Sequence, residues 1–199
     1  DRDGQQARWH LRHKGKRRRK SAEVEKRGKI AISHPLAKRP VSAHNRSRFG
    51  HWEADTVAGK QGGAVLLTLV ERKSRYLMTV WLPKKNAQAI KAGMLDVLRD
   101  MPLRSITPDR GKEFASHAQL SDELQVPFYF PEPGQPWQRG SNENTNGLLR
   151  QYFPKRQDLG QYSAAQIQAV TDKINLRPRK CLGWKCAYEV LFRKTLRLV

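Results

Sequence analysis

The stretch PEPGQPWQRGSNENTNGLLRQYFP, residues 131–154, sets one acidic residue, Glu143, among arginine and amide side chains where a helix begins. Proline and glycine residues at positions 133–136 end the preceding segment, and Ser141 follows a turn and predicts the helix cap. Arg139, Glu143, Asn146 and Arg150 share one helix face at these spacings. Such a face suits a site for both a divalent cation and a polyanion, although a solvated helix with an internal ion pair has the same pattern.

The chain's 199 residues leave room for one domain with a substantial core. Its 39 Lys and Arg against 18 Asp and Glu give a net charge of +21, which favours a polyanionic partner, with nucleic acid the leading candidate. Ribosomal proteins and membrane-surface proteins are also basic, so charge alone does not separate an enzyme from a binding protein.

The charge is concentrated near the start of the chain. Residues 1–50 hold 16 Lys or Arg and four Asp or Glu, a surplus of 12 out of the total of +21. Residues 1–48 are therefore predicted to form a basic extended arm or linker, with one short strand near residues 29–33. Its densest run, Lys16, Arg17, Arg18, Arg19 and Lys20, is expected to contact DNA phosphates; a solvated linker is the alternative.

Residues 49–160 predict an α/β core, followed by a helical extension over 161–199. The order is β-β-β-α-β-α-β-α, a mixed five-stranded sheet with flanking helices. Strands are expected at 51–57, 64–71, 75–82, 104–107 and 126–130, and helices at 86–101, 113–124, 164–176 and 187–193, with Asn86 as a cap.

Cys181 and Cys186 cannot form a structural zinc site by themselves and are interpreted as packing residues. With no signal-like or membrane-spanning apolar run, the chain is predicted to be cytosolic, with no membrane partner. It starts at Asp1 rather than Met, which leaves room for a domain upstream.

Three acidic residues fall where such a sheet can bring them together. Asp55 lies in the first core strand, Asp109 ends the fourth, and Glu143 begins the helix after the fifth. Close carboxylates repel one another, and Mg²⁺ relieves that repulsion. Glu53 shares the strand face of Asp55, and Glu113 follows Asp109 by one helical turn, so the spacing alone leaves both as alternatives.

Five motifs carry a resemblance to a known family: GHWEADTV (50–57), LVERKSRY (69–76), ITPDRGKEF (106–114), PWQRGSNENTNGLLRQYFPK (136–155) and NLRPRKCLGW (175–184). The chain from Gly50 to Phe192 resembles a DDE transposase of the insertion sequence thirty family, related to retroviral integrase cores with a ribonuclease-H-like fold. The resemblance implies a catalytic triad of Asp55, Asp109 and Glu143.

That resemblance also implies an activity: metal-dependent cleavage and strand transfer of DNA at the ends of a mobile element. Two Mg²⁺ or Mn²⁺ ions would bind the triad, and the partners would be double-stranded DNA of the element ends and target, with a homo-oligomer assembled on it. The location would be the bacterial nucleoid. The helix-turn-helix region that family members usually carry upstream is not in this sequence.

The sequence departs from the family pattern at two places. Arg110 stands where Asn usually follows the second Asp; turned inward it would pair with Asp109 and oppose metal binding, and turned outward it would hold a phosphate. Cys186-Ala187 replaces Thr-Pro. A catalytically inactive DNA-binding remnant therefore stays as the alternative, with a ribonuclease of related fold third.

Other cations and amides are expected to support the site. Those predicted to donate to DNA phosphates or to orient the carboxylates are Arg139, Asn142, Asn144, Asn146 and Arg150. Lys73 and Arg75, in a hairpin turn, are expected to be solvated. Arg177, Arg179 and Lys180 suit either contact with the DNA backbone or a charged surface loop.

Overall fold

The structure is a computed structural model that describes residues 30–196. Six strands and six α-helices, with short 3-10 turns between them, follow in the order β1 (His34–Pro35), α1 (Val41–His44), β2 (His51–Ala58), β3 (Val65–Glu71), β4 (Leu77–Leu82), α2 (Ala87–Leu98), β5 (Ser105–Thr107), α3 (His117–Leu124), β6 (Tyr129–Phe130), α4 (Gly140–Tyr152), α5 (Ala164–Asn175) and α6 (Ala187–Phe192).

The predicted mixed sheet is confirmed. Four strands lie in the order β4-β3-β2-β5, antiparallel except for the parallel pair β2 and β5. The expected fifth strand joins β5 through one parallel bridge, Ile106 to Phe128, while β6 itself pairs with β1. The segment 126–130 is thus mostly irregular, because β6 forms its backbone pairing with β1, in the chain that precedes the core.

Helices cover both faces of the sheet, so β3 is buried at every position. Alternate β3 side chains enter two separate cores. Leu67 and Leu69 pack with the α2 residues Ile90, Met94 and Leu98. Leu66 and Val70 pack with Leu149 of α4, Phe153 just after it and Ile167 of α5. Because Thr68 is two residues from both Leu66 and Val70, its side chain lies on the same face of β3 and faces α4.

The observed starts of three helices differ in how well they match the predicted starts and caps. Asn86 caps α2 as predicted, accepting from the Ala89 amide at 2.8 Å. Ser141 is wrong as a cap, because α4 begins at Gly140 and the Ser141 hydroxyl accepts a hydrogen bond from Arg75. The helix predicted from Glu113 divides into a 3-10 turn, Lys112–Phe114, and α3.

The later part of the predicted arm is packed against the core. Leu36, Arg39 and Ala43 are at most 5% exposed, and the short strand lies at 34–35 rather than 29–33. Residues 1–29, with the basic run Lys16–Lys20, and residues 197–199 lie outside the described residues. In the described part of the chain, no helix is long and apolar enough to cross a membrane.

Asn175 joins α5 to the outer strand of the sheet. Its buried amide donates to the Leu77 carbonyl and accepts from the Leu77 N–H, both at 2.8 Å. We expect Asn175→Ala to lower the free energy of unfolding by about 2–3 kcal/mol, because two buried backbone groups lose their partner. The melting temperature should fall by about 5–10 °C. Gln168→Ala, on the exposed side of the same helix, is the control and should change it by less than about 2 °C.

His51 predicts a pH dependence of stability. Burial, with the positive charges of Arg104 and Arg39, lowers the pKa of His51 to about 4. Because the unfolded chain protonates this histidine near pH 6.5, it binds more protons than the folded chain between pH 4 and 6.5, and stability falls as pH drops through that window. Urea unfolding of His51→Gln should show a smaller loss over this range; parallel curves for the two proteins would contradict the prediction.

Candidate active site

Asp109 follows the end of β5, beside the middle of the neighbouring parallel strand β2, which carries Asp55. The register places Glu53 of β2 opposite Thr107 of β5. Asp55 and Asp109 each follow these positions by two residues. The parallel pairing therefore places both residues at the same level along the strands, on the side of the sheet where β5 ends, called here the edge of the sheet. This confirms the expected pairing of the first and fourth core strands.

The electrostatics show that the two carboxylates interact. Burial raises the pKa of Asp109, and the negative charges of Asp55 and Glu113 raise it further; Arg139 and the Gly111 N–H act in the opposite direction. The Gly111 amide donates to Asp109 Oδ1 at 2.8 Å and fixes the carboxylate in its turn. The carboxylates of Asp55 and Asp109 are therefore close enough to repel each other.

Helix α4 meets Asp55 through polar contacts. Arg139 Nη1 and Asn146 Nδ2 each lie 3.2 Å from Asp55 Oδ2, while the Thr56 N–H donates to Oδ1 at 2.7 Å. Thr68 donates to Asn146 Oδ1 at 3.1 Å, which leaves the amide N–H₂ directed at the carboxylate. The helix face predicted from the sequence thus reaches Asp55 through Arg139 and Asn146.

Glu143 is exposed on α4. Its position, three residues before Asn146 on α4, is on the same helix side as Asn146, which contacts Asp55. Within residues 30–196, however, no three His, Cys, Asp or Glu side chains come together closely enough to hold a metal ion. The structure brings Asp55 and Asp109 together, and Arg139 occupies the charge-compensating position beside Asp55.

The alternative acid Glu53 has a different place. It is fully buried and forms an ion pair with Arg72, and its other oxygen accepts from the Asn142 N–H at 2.8 Å. Arg72 also donates from Nε to the Ala43 carbonyl at 2.8 Å. Glu53 therefore fixes the start of α4, and its oxygens are unavailable to a substrate.

Glu113 lies beside the site but is already paired. Its carboxylate contacts Lys85 Nζ at 2.6 Å and accepts from Thr56 Oγ1 at 3.2 Å. This carboxylate folds back against Gly111, where an added Cβ would displace it.

Arg110 does not pair with Asp109. Its Nε donates to the Pro131 carbonyl at 2.7 Å, and none of the ion pairs among the described residues joins it to Asp109. The inward orientation that would oppose metal binding is therefore not the one in this structure.

The remaining predicted DNA contacts differ in accessibility. Arg150 donates to the Ala58 carbonyl at 2.7 Å and lies along the end of β2. Asn142 is fully buried, and its side-chain amide has no hydrogen-bond partner among the described residues, so the amide is not accessible to DNA in this structure. Sequence reasoning missed Arg72 and Thr68; the signal for Arg72 was Glu53, since a carboxylate in an apolar strand needs a cation.

Comparison with known proteins shows what this chain is similar to. Residues 45–136 match the integrase core domain family. The chain is 42% identical over 179 residues to the transposase for insertion sequence element IS1086 of Cupriavidus metallidurans, covering 88% of this chain and 53% of that protein. It is 41% identical over 188 residues to the transposase of element IS30A of Escherichia coli, covering 92% of this chain and 48% of that protein.

A solved structure agrees with the fold. The catalytic core domain of BIV integrase superposes with a TM-score of 0.55 at 17% identity, over 72% of this chain and 93% of that one. The chain spans about half the length of the curated transposases it matches. The chain thus carries an integrase core match over residues 45–136, resembles transposases of the insertion sequence thirty family at about 40% identity over most of its length, and has the ribonuclease-H-like fold of integrase cores.

Proposed function

We propose that this chain is the catalytic part of a transposase that cleaves DNA and transfers strands at the ends of an insertion sequence. The observation that carries the proposal is the pair Asp55 and Asp109, which the parallel pairing of β2 and β5 brings close enough to interact electrostatically. Helix α4 presents Glu143 from the adjoining side, as the third proposed acid. The names of its relatives, transposases of insertion sequences, support the same reaction class.

The donor chemistry of the proposed triad is that of a site for a hard divalent cation, and Glu143 would have to approach Asp55 and Asp109 for all three to share an ion. Asp55, Asp109 and Glu143 would supply the carboxylate oxygens that Mg²⁺ and Mn²⁺ prefer, and two ions are proposed. When bound, such ions generate a nucleophile from water or a 3′-hydroxyl and stabilise the leaving oxygen of a phosphodiester. The raised pKa of Asp109, caused first by burial and then by the Asp55 carboxylate, supports this chemistry, because a bound cation would offset the repulsion between the two acids.

The chain's own residues have separate tasks in this proposal. Arg139 and Asn146 hold Asp55 in one orientation before substrate arrives. Released from Asp55, the Arg139 guanidinium would bind a DNA phosphate and orient the strand. The buried Glu53 and Arg72 keep α4 in place, so that Glu143 approaches from a fixed backbone.

The proposed partner is double-stranded DNA of the element ends and the target. The net charge of +21 supports phosphate binding, and counterion release would make that binding strongly salt dependent. We also propose a homo-oligomer on DNA, because two ends must be joined, and a location at the bacterial nucleoid.

The central residue test is Asp109→Asn. Strand cleavage and transfer of a labelled duplex carrying the element ends, with Mn²⁺, should fall by at least about a thousandfold, since one of the proposed metal ligands loses its charge. Salt-dependent DNA binding should stay within about twofold. Asp96→Asn, an exposed acid on α2, is the matched control and should keep both activities.

The same assay decides between the candidate functions. DNA binding without metal-dependent cleavage in a folded wild-type protein would favour the inactive remnant. Activity confined to Arg110→Asn would indicate an intact fold disabled at that residue, and cleavage of RNA in RNA–DNA hybrids alone would favour a ribonuclease.

Arg139→Gln should separate metal binding from DNA binding. Removing the cation that pairs with Asp55 is expected to tighten Mn²⁺ binding about three- to tenfold, because the ion no longer competes with a guanidinium. DNA affinity should fall, since a proposed phosphate contact is lost. Mn²⁺ titration followed by electron paramagnetic resonance measures the first effect and fluorescence anisotropy the second; unchanged Mn²⁺ affinity would contradict this role for Arg139.

A further inference from the structure

Trp184 is presented to solvent by an ordered loop. Its side chain is 69% exposed, and the loop between α5 and α6 holds it in a left-handed backbone conformation, with φ of 66°. The Trp184 N–H donates to the Arg179 carbonyl at 3.0 Å, and the Arg179 N–H donates to the Lys185 carbonyl at 3.1 Å. A large aromatic ring is therefore kept out of both cores by a hydrogen-bonded turn.

Cations without an ion-pair partner share the loop of this ring. Arg177, Lys180 and Lys185 are exposed in the same loop, and no ion pair among the described residues includes them. Glu189, the acid on the adjoining helix, accepts hydrogen bonds from the backbone of Cys186 at 2.8 Å and Leu196 at 3.0 Å. Its carboxylate is thus engaged in capping α6.

The positive surface continues towards the proposed active site. Arg75, expected to be solvated, instead donates from Nη1 to Ser141 Oγ at 2.7 Å, in the first turn of α4. Burial lowers the pKa of Arg179, Cys181 acts in the opposite direction, and the positive charge of Arg75 lowers it further. Burial and then the charge of Arg75 also lower the pKa of Arg46. These arginines are thus close enough to repel one another, and none has a carboxylate partner among the described residues.

We propose that this surface, formed by Trp184 with Arg46, Arg75, Arg177, Lys180 and Lys185 and called here the Trp184 surface, binds DNA that has an unpaired segment. The cations bind backbone phosphates, and the Trp184 ring stacks on an exposed base, a contact that fully paired duplex cannot offer. The inference rests on the proposed function for its substrate class. It adds a second DNA contact, joined to the active site through Arg75 and Ser141.

Charge favours DNA over a protein partner. An exposed tryptophan alone also suits an interface between copies of the chain. A ring bordered by several unpaired cations, in a chain with a surplus of 21 positive charges, is instead complementary to a polyanion.

The test measures binding without chemistry. All variants are made in the Asp109→Asn background and studied in EDTA, with a blunt duplex and the same duplex bearing a short single-stranded extension. Trp184→Ala should weaken binding of the extended DNA about 5- to 100-fold and of blunt DNA less than about twofold. Trp184→Phe, which keeps a stacking ring, should restore most of the affinity for the extended DNA.

A charge series tests the phosphate contacts separately. Arg177→Gln and Lys180→Gln should each lower the slope of log affinity against log salt by about 0.9 on the duplex. Arg99→Gln removes the same charge from an exposed position at the end of α2 and should leave the slope unchanged.

Two results would overturn the inference. If the parent protein and its Trp184→Ala variant bind the extended DNA equally, Trp184 makes no stacking contact. If Trp184→Ala changes the oligomeric state in light scattering but preserves the DNA affinity per protomer, the surface is instead a contact between copies of the protein. If the parent protein binds neither DNA, the proposed function itself fails, whereas normal binding by the parent and all variants defeats only this surface.

Discussion

The buried ion pair between Glu53 and Arg72 is the contact on which the site depends. A fully buried carboxylate is costly unless its charge is compensated, and removing one partner of such a pair typically costs about 3–5 kcal/mol. Here Arg72 and the Asn142 N–H share the two oxygens of Glu53. Because Glu53 precedes Asp55 by two residues and Asn142 directly precedes Glu143, this one contact sets the first core strand against the helix that carries the third proposed acid.

The chain that precedes the core belongs to the same arrangement. Arg72 binds the Ala43 carbonyl, and buried Arg39 donates to Thr107 Oγ1 at 3.3 Å, two residues before Asp109. Burial and the charge of Arg72 lower the pKa of Arg39 to about 10, while Glu53 acts in the opposite direction. The strand ends bearing Asp55 and Asp109 are therefore held by a scaffold that includes residues 39–43, and the exposed side chains on α4 are left to meet the substrate.

The sequence predicted the sheet because its strands differ clearly in pattern from its helices, and the pairing of Asp55 with Asp109 followed from strand order. It could not assign Glu53, since period-two alternation puts Glu53 and Asp55 on one face and only the position of Arg72 tells them apart. The misplaced cap at Ser141 has a similar cause: Arg75 reaches it from a turn 66 residues away. Asn142 was predicted to donate to DNA phosphates or to orient the carboxylates, but the rotation of α4, fixed by Glu53, directs its side chain inward.

The central claim is that Asp55, Asp109 and Glu143 form one divalent-cation site once Arg139 leaves Asp55. Anomalous scattering from crystals of the protein grown with Mn²⁺ and DNA tests it most directly. The account predicts manganese bound by oxygens of Asp55 and Asp109, with Glu143 drawn into coordination and Arg139 turned to a phosphate. Manganese absent from this edge of the sheet, with the Arg139–Asp55 ion pair intact beside bound DNA, would contradict it.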